Sequence, residues 1–213
     1  MPLCFDLDGT LGHFSGGYVL LREVLGELWG TAPTEDELRA CTGSTDWEIV
    51  DELHLGRFGE GLSRAGYEAF ETACLLRFER EFAPGARAAV IYEGLVEGLN
   101  GLHRQGRPVA LVSGNAPRLL AFKARALGVD PGIRLWGSRP GHSRADLIRL
   151  ALAGCEGPHL YAGDRPHDLQ AARETGLPFL GVGPYVPGEH PILAPETHAH
   201  VLLATVEQLL QRP

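Results

Sequence analysis

Four aspartates follow the ends of two predicted strands. They are Asp6, Asp8, Asp164 and Asp168. The first pair follows an apolar run that begins at Leu3, and the second pair follows the apolar run 160–162. Ligands bind beyond the carboxyl ends of the strands in an open α/β sheet, so the four carboxylates should meet at one edge. They would repel one another unless a cation lay between them. Few, hard oxygen ligands suit Mg²⁺, and the set therefore predicts a magnesium site.

The elements that would carry these side chains alternate along most of the chain. After about residue 90, predicted strands at 108–112, 133–136, 160–162 and 178–182 alternate with predicted helices at 95–102, 117–127, 145–153, 169–174 and 201–210. This alternation indicates an α/β fold with a doubly wound parallel sheet, and the polar tripeptide Ser113-Gly114-Asn115 ends one of its strands. The proline- and glycine-rich run 181–195 is predicted to be a loop.

The stretch between the first strand and the rest of the sheet has a helical pattern. Helices are predicted at 18–29, 47–55 and 67–82, and Thr34 followed by Glu37 is a capping-box signature that opens another. No strand is predicted between residues 46 and 82. We therefore expect a core of residues 1–13 and 89–213, interrupted by a small helical insertion over 14–88.

Composition narrows the class of protein. The 213 residues suit one domain, or one domain with an insertion, and the net charge of −8 argues against a nucleic-acid partner. An apolar run of about 18 residues, as a membrane span needs, is absent from the sequence, and MPLCFDLDGT does not resemble a secretory signal. Four scattered cysteines without a CxxC pair favour a reduced, cytoplasmic chain. Lys123 is the only lysine, among 19 basic residues.

Five segments carry a resemblance to a known family. FDLDGTL (5–11) resembles the first motif of the haloacid dehalogenase superfamily of phosphatases, and AGDRPHDLQAARETGL (162–177) resembles its acidic last motif. LVSGNAPRLLAFKARALGVD (111–130), WGSRPGHSRADL (136–147) and CTGSTDWEI (41–49) are similar to segments of its phosphoglycolate-phosphatase-like subgroup. The matches run in order across nearly the whole chain. They imply a Rossmann-like core with a helical cap.

The resemblance implies roles for the four aspartates. Asp6 would be the nucleophile that forms an aspartyl-phosphate, and Asp8 would protonate the leaving oxygen and then activate water. Asp6, the backbone carbonyl of Asp8 and Asp164 would hold Mg²⁺. Asp168 would be a fourth carboxylate of the metal site or would lie behind it.

The resemblance also implies a phosphate-binding set. Ser113 and the backbone of Gly114 would hold phosphoryl oxygens, although Ser113 could instead cap the helix that begins near Pro117. The lysine of the family's third motif has two candidate replacements, Arg144 and Arg139. We favour Arg144, whose guanidinium can contact phosphate bidentately, because ADLIRLAL after it supplies the expected helix. Lys123, in the middle of its helix, is expected to be solvated or to support the helix.

Residues 43–46 are expected to face the active site from the cap. These residues are Gly43, Ser44, Thr45 and Asp46; an equally good interpretation is a plain helix N-terminus capped by Ser44 or Thr45. Arg165 stands where the family has Ser or Thr, and it would either add positive charge near the substrate or pair with an acidic neighbour. His13 and His167 lie beside presumed site residues, where packing is a commoner role than proton transfer.

These features predict a Mg²⁺-dependent phosphatase acting on a small phosphorylated metabolite. Asp8 is present and a cap lysine is absent, which argues against dehalogenation and against Schiff-base phosphonate cleavage. A phosphosugar mutase using the same aspartates remains an alternative, as does a catalytically silent binding or scaffold member. Neither a nucleic acid nor a membrane is expected as a partner. Substrate and oligomeric state are left open.

Overall fold

The computed structural model describes residues 3–83 and 86–211. The strands in these ranges are β1 (Leu3–Phe5), β2 (Gly12–His13), β3 (Val90–Ile91), β4 (Val109–Val112), β5 (Arg134–Trp136), β6 (Leu160–Gly163), β7 (Phe179–Val182) and β8 (Ile192–Leu193). The helices are α1 (Gly17–Trp29), α2 (Glu35–Ala40), α3 (Asp46–Phe58), α4 (Arg64–Glu81), α5 (Glu93–Arg104), α6 (Pro117–Ala126), α7 (Arg144–Leu152), α8 (Pro166–Thr175) and α9 (Ala199–Leu210). None of the helices described is long and apolar enough to cross a membrane.

A six-stranded parallel sheet has the strand order β5-β4-β1-β6-β7-β8. Leu3 of β1 is in register with Val109 of β4 on one side and with Leu160 of β6 on the other. The predicted doubly wound α/β fold is therefore confirmed. Because β1, β4 and β6 are neighbours, the three polar strand ends singled out in the sequence lie side by side.

Apolar layers cover both faces of the sheet. Leu3 and Phe5 join one buried cluster, which includes Leu99 of α5 and Val206 of α9, whereas Cys4 between them joins the cluster on the opposite face. Alternate residues of a strand point to opposite faces, so the fully apolar run of β1 is what a strand covered on both sides requires. This burial fixes the strand whose end carries Asp6.

Along the chain, the helical segment 17–81, comprising α1 to α4, comes after β1 and before the other strands of the six-stranded sheet. The Thr34 side chain accepts from the Glu37 N–H, and the Glu37 carboxylate accepts from the Thr34 N–H, so the predicted capping box opens α2. The chain enters and leaves this segment through β2 and β3, which pair antiparallel with Gly12 opposite Ile91. The predicted insertion boundaries, 13/14 and 88/89, fall beside this pair of strands.

Two short features differ from the sequence-based expectations. The run 181–195 is not a loop throughout, because Ile192–Leu193 forms β8 and pairs parallel with Gly181–Val182 of β7. Two residues are too few to show an apolar alternation, so the pattern could not reveal this strand. Helix α8 begins at Pro166 rather than at Leu169, with proline in its first turn. Asp168 consequently lies in the first turn of that helix.

Candidate active site

Three buried carboxylates meet at the carboxyl edge of the sheet. Asp6 directly follows β1, Asp164 directly follows β6, and Asp168 lies in the first turn of α8. One oxygen of each lies within 4.8 Å of the other two. The backbone holds this arrangement, since the Asp6 N–H donates to the Ala162 carbonyl oxygen of β6 at 2.8 Å.

Gly9 allows the turn after β1 to approach this cluster. Its φ of +77° is in the left-handed region, which favours glycine. A Cβ atom at this position would lie 2.1 Å from Asp164 Oδ2. Any larger residue would therefore have to push the Asp164 carboxylate out of the cluster.

Arg144 joins the carboxylates to one another. Its Nη1 lies 3.1 Å from Asp6 Oδ1 and 2.9 Å from Asp168 Oδ1. The Arg144 side chain is only 6% exposed, and it begins α7, whose N-terminus is capped by Ser143. Arg139 instead lies over the Trp136 ring, 5.3 Å from its centre. Of the two arginines proposed for the third motif, the structure brings Arg144 to the acidic cluster.

Asp168 serves as a fixed acceptor within this set. Its Oδ1 lies 3.1 Å from the Tyr161 hydroxyl in addition to Arg144, and its Oδ2 accepts from the Arg165 N–H at 3.0 Å. Both oxygens are thus held by protein donors. That arrangement suits a carboxylate that lies behind a metal ligand and orients Arg144. Tyr161 did not stand out in the sequence, because a strand tyrosine is usually a packing residue.

Asp164 has an oxygen free for a cation. Its Oδ2 lies 2.9 Å from Arg165 Nε, while its Oδ1 is buried without a hydrogen-bond partner among the described residues. Burial raises the pKa of Asp164 to about 8, and the charges of Asp6 and Asp168 add to the rise. Burial also raises the pKa of Asp6 to about 6. A divalent cation would offset the repulsion between these carboxylates and would bind the free Oδ1 of Asp164, so the residues present fit Mg²⁺.

The Asp8 carboxylate lies outside this cluster. Its Oδ2 accepts from Lys123 Nζ at 2.6 Å and from Asn115 Nδ2 at 2.7 Å. The Asp8 side chain is 34% exposed, more than the carboxylates of the cluster. A contribution of Asp8 to a metal site would therefore come from its backbone carbonyl, while its carboxylate remains available for proton transfer.

The expectation that Lys123 is solvated is wrong. Its side chain is 6% exposed and pairs with Asp8. Lys123 lies on the buried face of α6 with Leu119, Leu120 and Ala124. The spacing from Leu119 and Leu120 is four and three residues, which places all three on one helical face. That spacing was the signal available in the sequence, and the usual exposure of lysine outweighed it.

The loop after β4 brings Ser113 and Gly114 to the same edge. Ser113 Oγ accepts from Asn115 Nδ2 at 2.8 Å, and the N-cap residue of α6 is Ala116, so the alternative role of Ser113 as that cap is wrong. A Cβ atom on Gly114 would lie 2.5 Å from the Ser44 carbonyl oxygen. Glycine is thus required where residues 43–46 approach this loop.

Residues 43–46 are both a helix N-terminus and a contact with the site. Thr45 caps α3 by accepting from the Glu48 N–H. The Asp46 N–H donates to the Gly114 carbonyl oxygen at 2.7 Å, and Asp46 Oδ2 accepts from the Ala116 N–H at 2.8 Å. Burial raises the pKa of Asp46 to about 6. The two interpretations of this segment are therefore compatible.

Ser44 completes the contact between this segment and Arg144. Arg144 Nη2 donates to the Ser44 carbonyl oxygen at 2.7 Å. Gly43 is packed closely, because a Cβ atom there would lie 2.4 Å from Glu48 Cβ. One guanidinium thus contacts both the acidic cluster and the helical segment.

Arg165 and the two histidines have separate places. Arg165 pairs with Asp164, the acidic neighbour, and lies over the Tyr185 ring at 4.7 Å. Burial and the nearby Arg144 charge lower the pKa of His167 to about 4, which leaves its ring neutral. His13 is exposed on β2.

The sequence matches a profile of the haloacid dehalogenase-like hydrolase family over residues 3–173. The chain belongs to this family. It is also 28% identical over 185 residues to a phosphoglycolate phosphatase from Rhodobacter capsulatus, covering 84% of this chain and 82% of that protein. The family assignment confirms the resemblance found in the motifs and the expected hydrolase, and the phosphatase relative supports phosphoryl chemistry.

Two solved structures have the same fold. A hydrolase from Pseudomonas syringae superimposes with a TM-score of 0.71 at 18% identity, covering 99% of both chains. CbbY from Rhodobacter sphaeroides, solved in complex with phosphate, superimposes with a TM-score of 0.70 at 20% identity, covering 97% of this chain and 98% of that one. The fold of this family member is therefore shared over nearly its full length.

Proposed function

We propose that this hydrolase is a Mg²⁺-dependent phosphatase that cleaves small phosphomonoesters through a phosphorylated Asp6. The observation that carries the proposal is the pairing of Asp6 with Arg144 beside the free Asp164 oxygen. It brings together a nucleophile, a buried positive charge and a cation ligand at the edge where α/β sheets bind their ligands.

In the first half of the proposed reaction, an Asp6 carboxylate oxygen attacks phosphorus. The bond between phosphorus and the alcohol oxygen breaks, and that oxygen takes a proton from Asp8. In the second half, Asp8 takes a proton from water as the water oxygen attacks phosphorus, and the bond to Asp6 breaks. Alcohol and inorganic phosphate leave, and both aspartates return to their starting states. Division into two displacements is what a carboxylate nucleophile offers.

The metal would be held by Asp6, Asp164 and the backbone carbonyl of Asp8, with Asp168 behind them. When bound, Mg²⁺ would offset the repulsion between the Asp6 carboxylate and the phosphate dianion. Asp164 would supply its free Oδ1 to that site. Asp168 would keep Arg144 aimed at Asp6.

Arg144, Ser113 and the Gly114 backbone would hold the phosphoryl oxygens. Arg144 Nη1 is already 3.1 Å from the Asp6 oxygen, next to the place where the phosphoryl group would be transferred. A guanidinium presents several N–H groups in one plane and can contact two phosphoryl oxygens together. Ser113 adds a hydroxyl donor at the end of the neighbouring strand, β4.

A small, polar cavity lies beside Arg144. It measures about 140 Å³ and lies between residues 42–48 and α8. Its walls include Thr42, Glu48, His167 and Gln170. Arg144 lines this cavity, whereas Asp6, Asp8 and Asp164 do not. The name of the Rhodobacter capsulatus relative makes phosphoglycolate the first metabolite to assay.

The test is hydrolysis of p-nitrophenyl phosphate by the purified protein, with Mg²⁺ and with excess chelator. We expect turnover with Mg²⁺, loss of turnover in chelator, and recovery when Mg²⁺ is restored. Equal rates in chelator would remove the metal from the proposal. A panel of phosphorylated metabolites, with inorganic phosphate and isomerised sugar both measured, separates a hydrolase from a mutase. Isomer formation without phosphate release would favour the mutase.

A further inference from the structure

We propose that Lys123 is a positioning residue that, with Asn115, holds the Asp8 carboxyl group by its Oδ2 atom, so that the proton on Oδ1 can pass to the leaving oxygen. The inference rests on the proposed function, because it assigns Asp8 its role in that reaction. The sequence motifs did not suggest it. It follows from the placement of the chain's only lysine beside Asp8.

Four contacts fix the Lys123 ammonium group. Nζ lies 2.6 Å from Asp8 Oδ2 and 2.7 Å from Asn115 Oδ1. It also lies over two aromatic rings, 4.9 Å from the centre of Phe78 and 5.4 Å from that of Phe14. An ammonium group has three donors and no acceptor, so two hydrogen bonds and the ring faces account for its surroundings.

Lys123 also determines which way the Asn115 amide faces. Since the ammonium can only donate, Asn115 must turn its oxygen toward Lys123. Its Nδ2 then donates to Asp8 Oδ2 at 2.7 Å and to Ser113 Oγ at 2.8 Å. Two donors thus converge on Oδ2 of Asp8, so Oδ1 is the oxygen that would carry the proton given to the leaving group. The same amide connects Asp8 to Ser113 of the phosphate-binding loop.

The location of Lys123 argues against a purely stabilising role. Removing a lysine from water is costly, and a buried ion pair gains little stability over an apolar replacement of similar size. The rings that cover it come from the helical segment and its entrance, because Phe78 belongs to α4 and Phe14 precedes α1. What this costly arrangement adds is a fixed position for one carboxylate at the open edge of the site.

The experiment compares two substrates that differ in how much their leaving groups need a proton. The value of kcat/KM is measured for phenyl phosphate and for p-nitrophenyl phosphate in the wild type, Lys123→Met and Asp8→Asn. We use kcat/KM because it includes every step up to the departure of the phenol. General acid catalysis supplies about 10²- to 10⁴-fold, and it matters most for the poorer leaving group. We expect kcat/KM of Lys123→Met to fall at least about 10-fold on phenyl phosphate and under about 3-fold on p-nitrophenyl phosphate. In Asp8→Asn the difference between the losses on the two substrates should be larger.

Arg125→Met is the matched control, because it removes an exposed cation from the same helix and should leave both substrates unaffected. Equal losses on the two substrates in Lys123→Met, or no loss on either, would overturn the inference. Asp8→Asn without leaving-group selectivity would instead count against the proposed function. Circular dichroism checks each fold. Lys123→Gln, which keeps a neutral donor, replaces Lys123→Met in the same comparison if that variant melts below the assay temperature.

Discussion

Two buried cations stand at the same edge of the sheet and differ in what they hold. Arg144 contacts the carboxylates of Asp6 and Asp168 and reaches the Ser44 carbonyl oxygen of the helical segment. Lys123 contacts a single carboxylate, that of Asp8, and lies over two aromatic rings. Their side chains are equally buried, at 6% exposed each.

The difference shows how charge geometry divides the proposed reaction. The planar guanidinium offers donors in several directions, which suits a group with several oxygens. The ammonium is a compact point charge, which suits one oxygen of one carboxylate. On this basis the Arg144 side of the site would hold the phosphoryl group, and the Lys123 side would hold the proton carrier. Substitutions on the two sides should therefore fail in different ways.

The largest effect is expected from Asp6→Asn, on the arginine side. The change keeps the size of the side chain but removes the nucleophile, so turnover should fall to the background rate while the circular dichroism spectrum is retained. Steady-state hydrolysis of p-nitrophenyl phosphate measures the loss. The Asp6→Asn substitution also weakens the proposed metal site, so the loss of turnover by itself does not prove a covalent step.

Trapping supplies the missing control for Asp6. A beryllium fluoride or aluminium fluoride analogue of the phosphoryl group, added to the wild type with Mg²⁺, should bind at the Asp6 carboxylate in a crystal structure. An adduct on any other residue would refute the mechanism, and with it the assignment of phosphoryl binding to the Arg144 side and proton transfer to the Lys123 side.

Arg144→Ala should have the next largest effect. Contacts of this kind to a transferring group supply on the order of 10²- to 10³-fold, so kcat and kcat/KM should fall together by that factor. Arg144→Lys should recover part of the lost activity, because it restores the positive charge without the bidentate geometry of the guanidinium. Unlike Lys123→Met, the loss should be similar for good and poor leaving groups. A loss confined to the poorer leaving group would place Arg144 on the proton-transfer side.

Folding must be checked for Arg144→Ala, because the substitution leaves buried carboxylates without their partner. Removing one member of a buried ion pair typically destabilises a protein by about 3–5 kcal/mol. Urea unfolding should show this loss, and it should be smaller for Arg144→Lys. Kinetics are therefore compared only where the melting temperature exceeds the assay temperature.

Arg139→Ala should have the smallest effect. Arg139 stacks on the Trp136 ring, and a partly exposed contact of that kind contributes about 0.5–1 kcal/mol. Activity should stay within about threefold of the wild type, because substitutions away from special features change little. A severe loss in Arg139→Ala, together with near-normal Arg144→Ala, would transfer the phosphate-binding role to Arg139.

The sheet and the acidic cluster could be predicted because both depend on short-range patterns. Apolar runs alternating with helical spacing gave the strands that carry Asp6 and Asp164, and sheet topology then requires their ends to be close. The Thr34 capping box was equally local. Strands of two residues, such as β8, were not predicted, because an apolar alternation cannot be recognised at that length. The roles of the aspartates remain a prediction for the experiments above.

The sequence by itself determined the α/β core and the set of aspartates, because both follow from spacing along the chain, and its motifs carried the resemblance to the family. Only the tertiary structure decided what surrounds the two cations. Arg144 and Asp6 are 138 residues apart, and Lys123 and Asp8 are 115 apart. No local preference encodes such pairs: they arise when the β1, β4 and β6 ends align and α7 and α6 pack beside them. Local propensity would leave Lys123 in water, but the packing of α6 buries it, and there it pairs with Asp8.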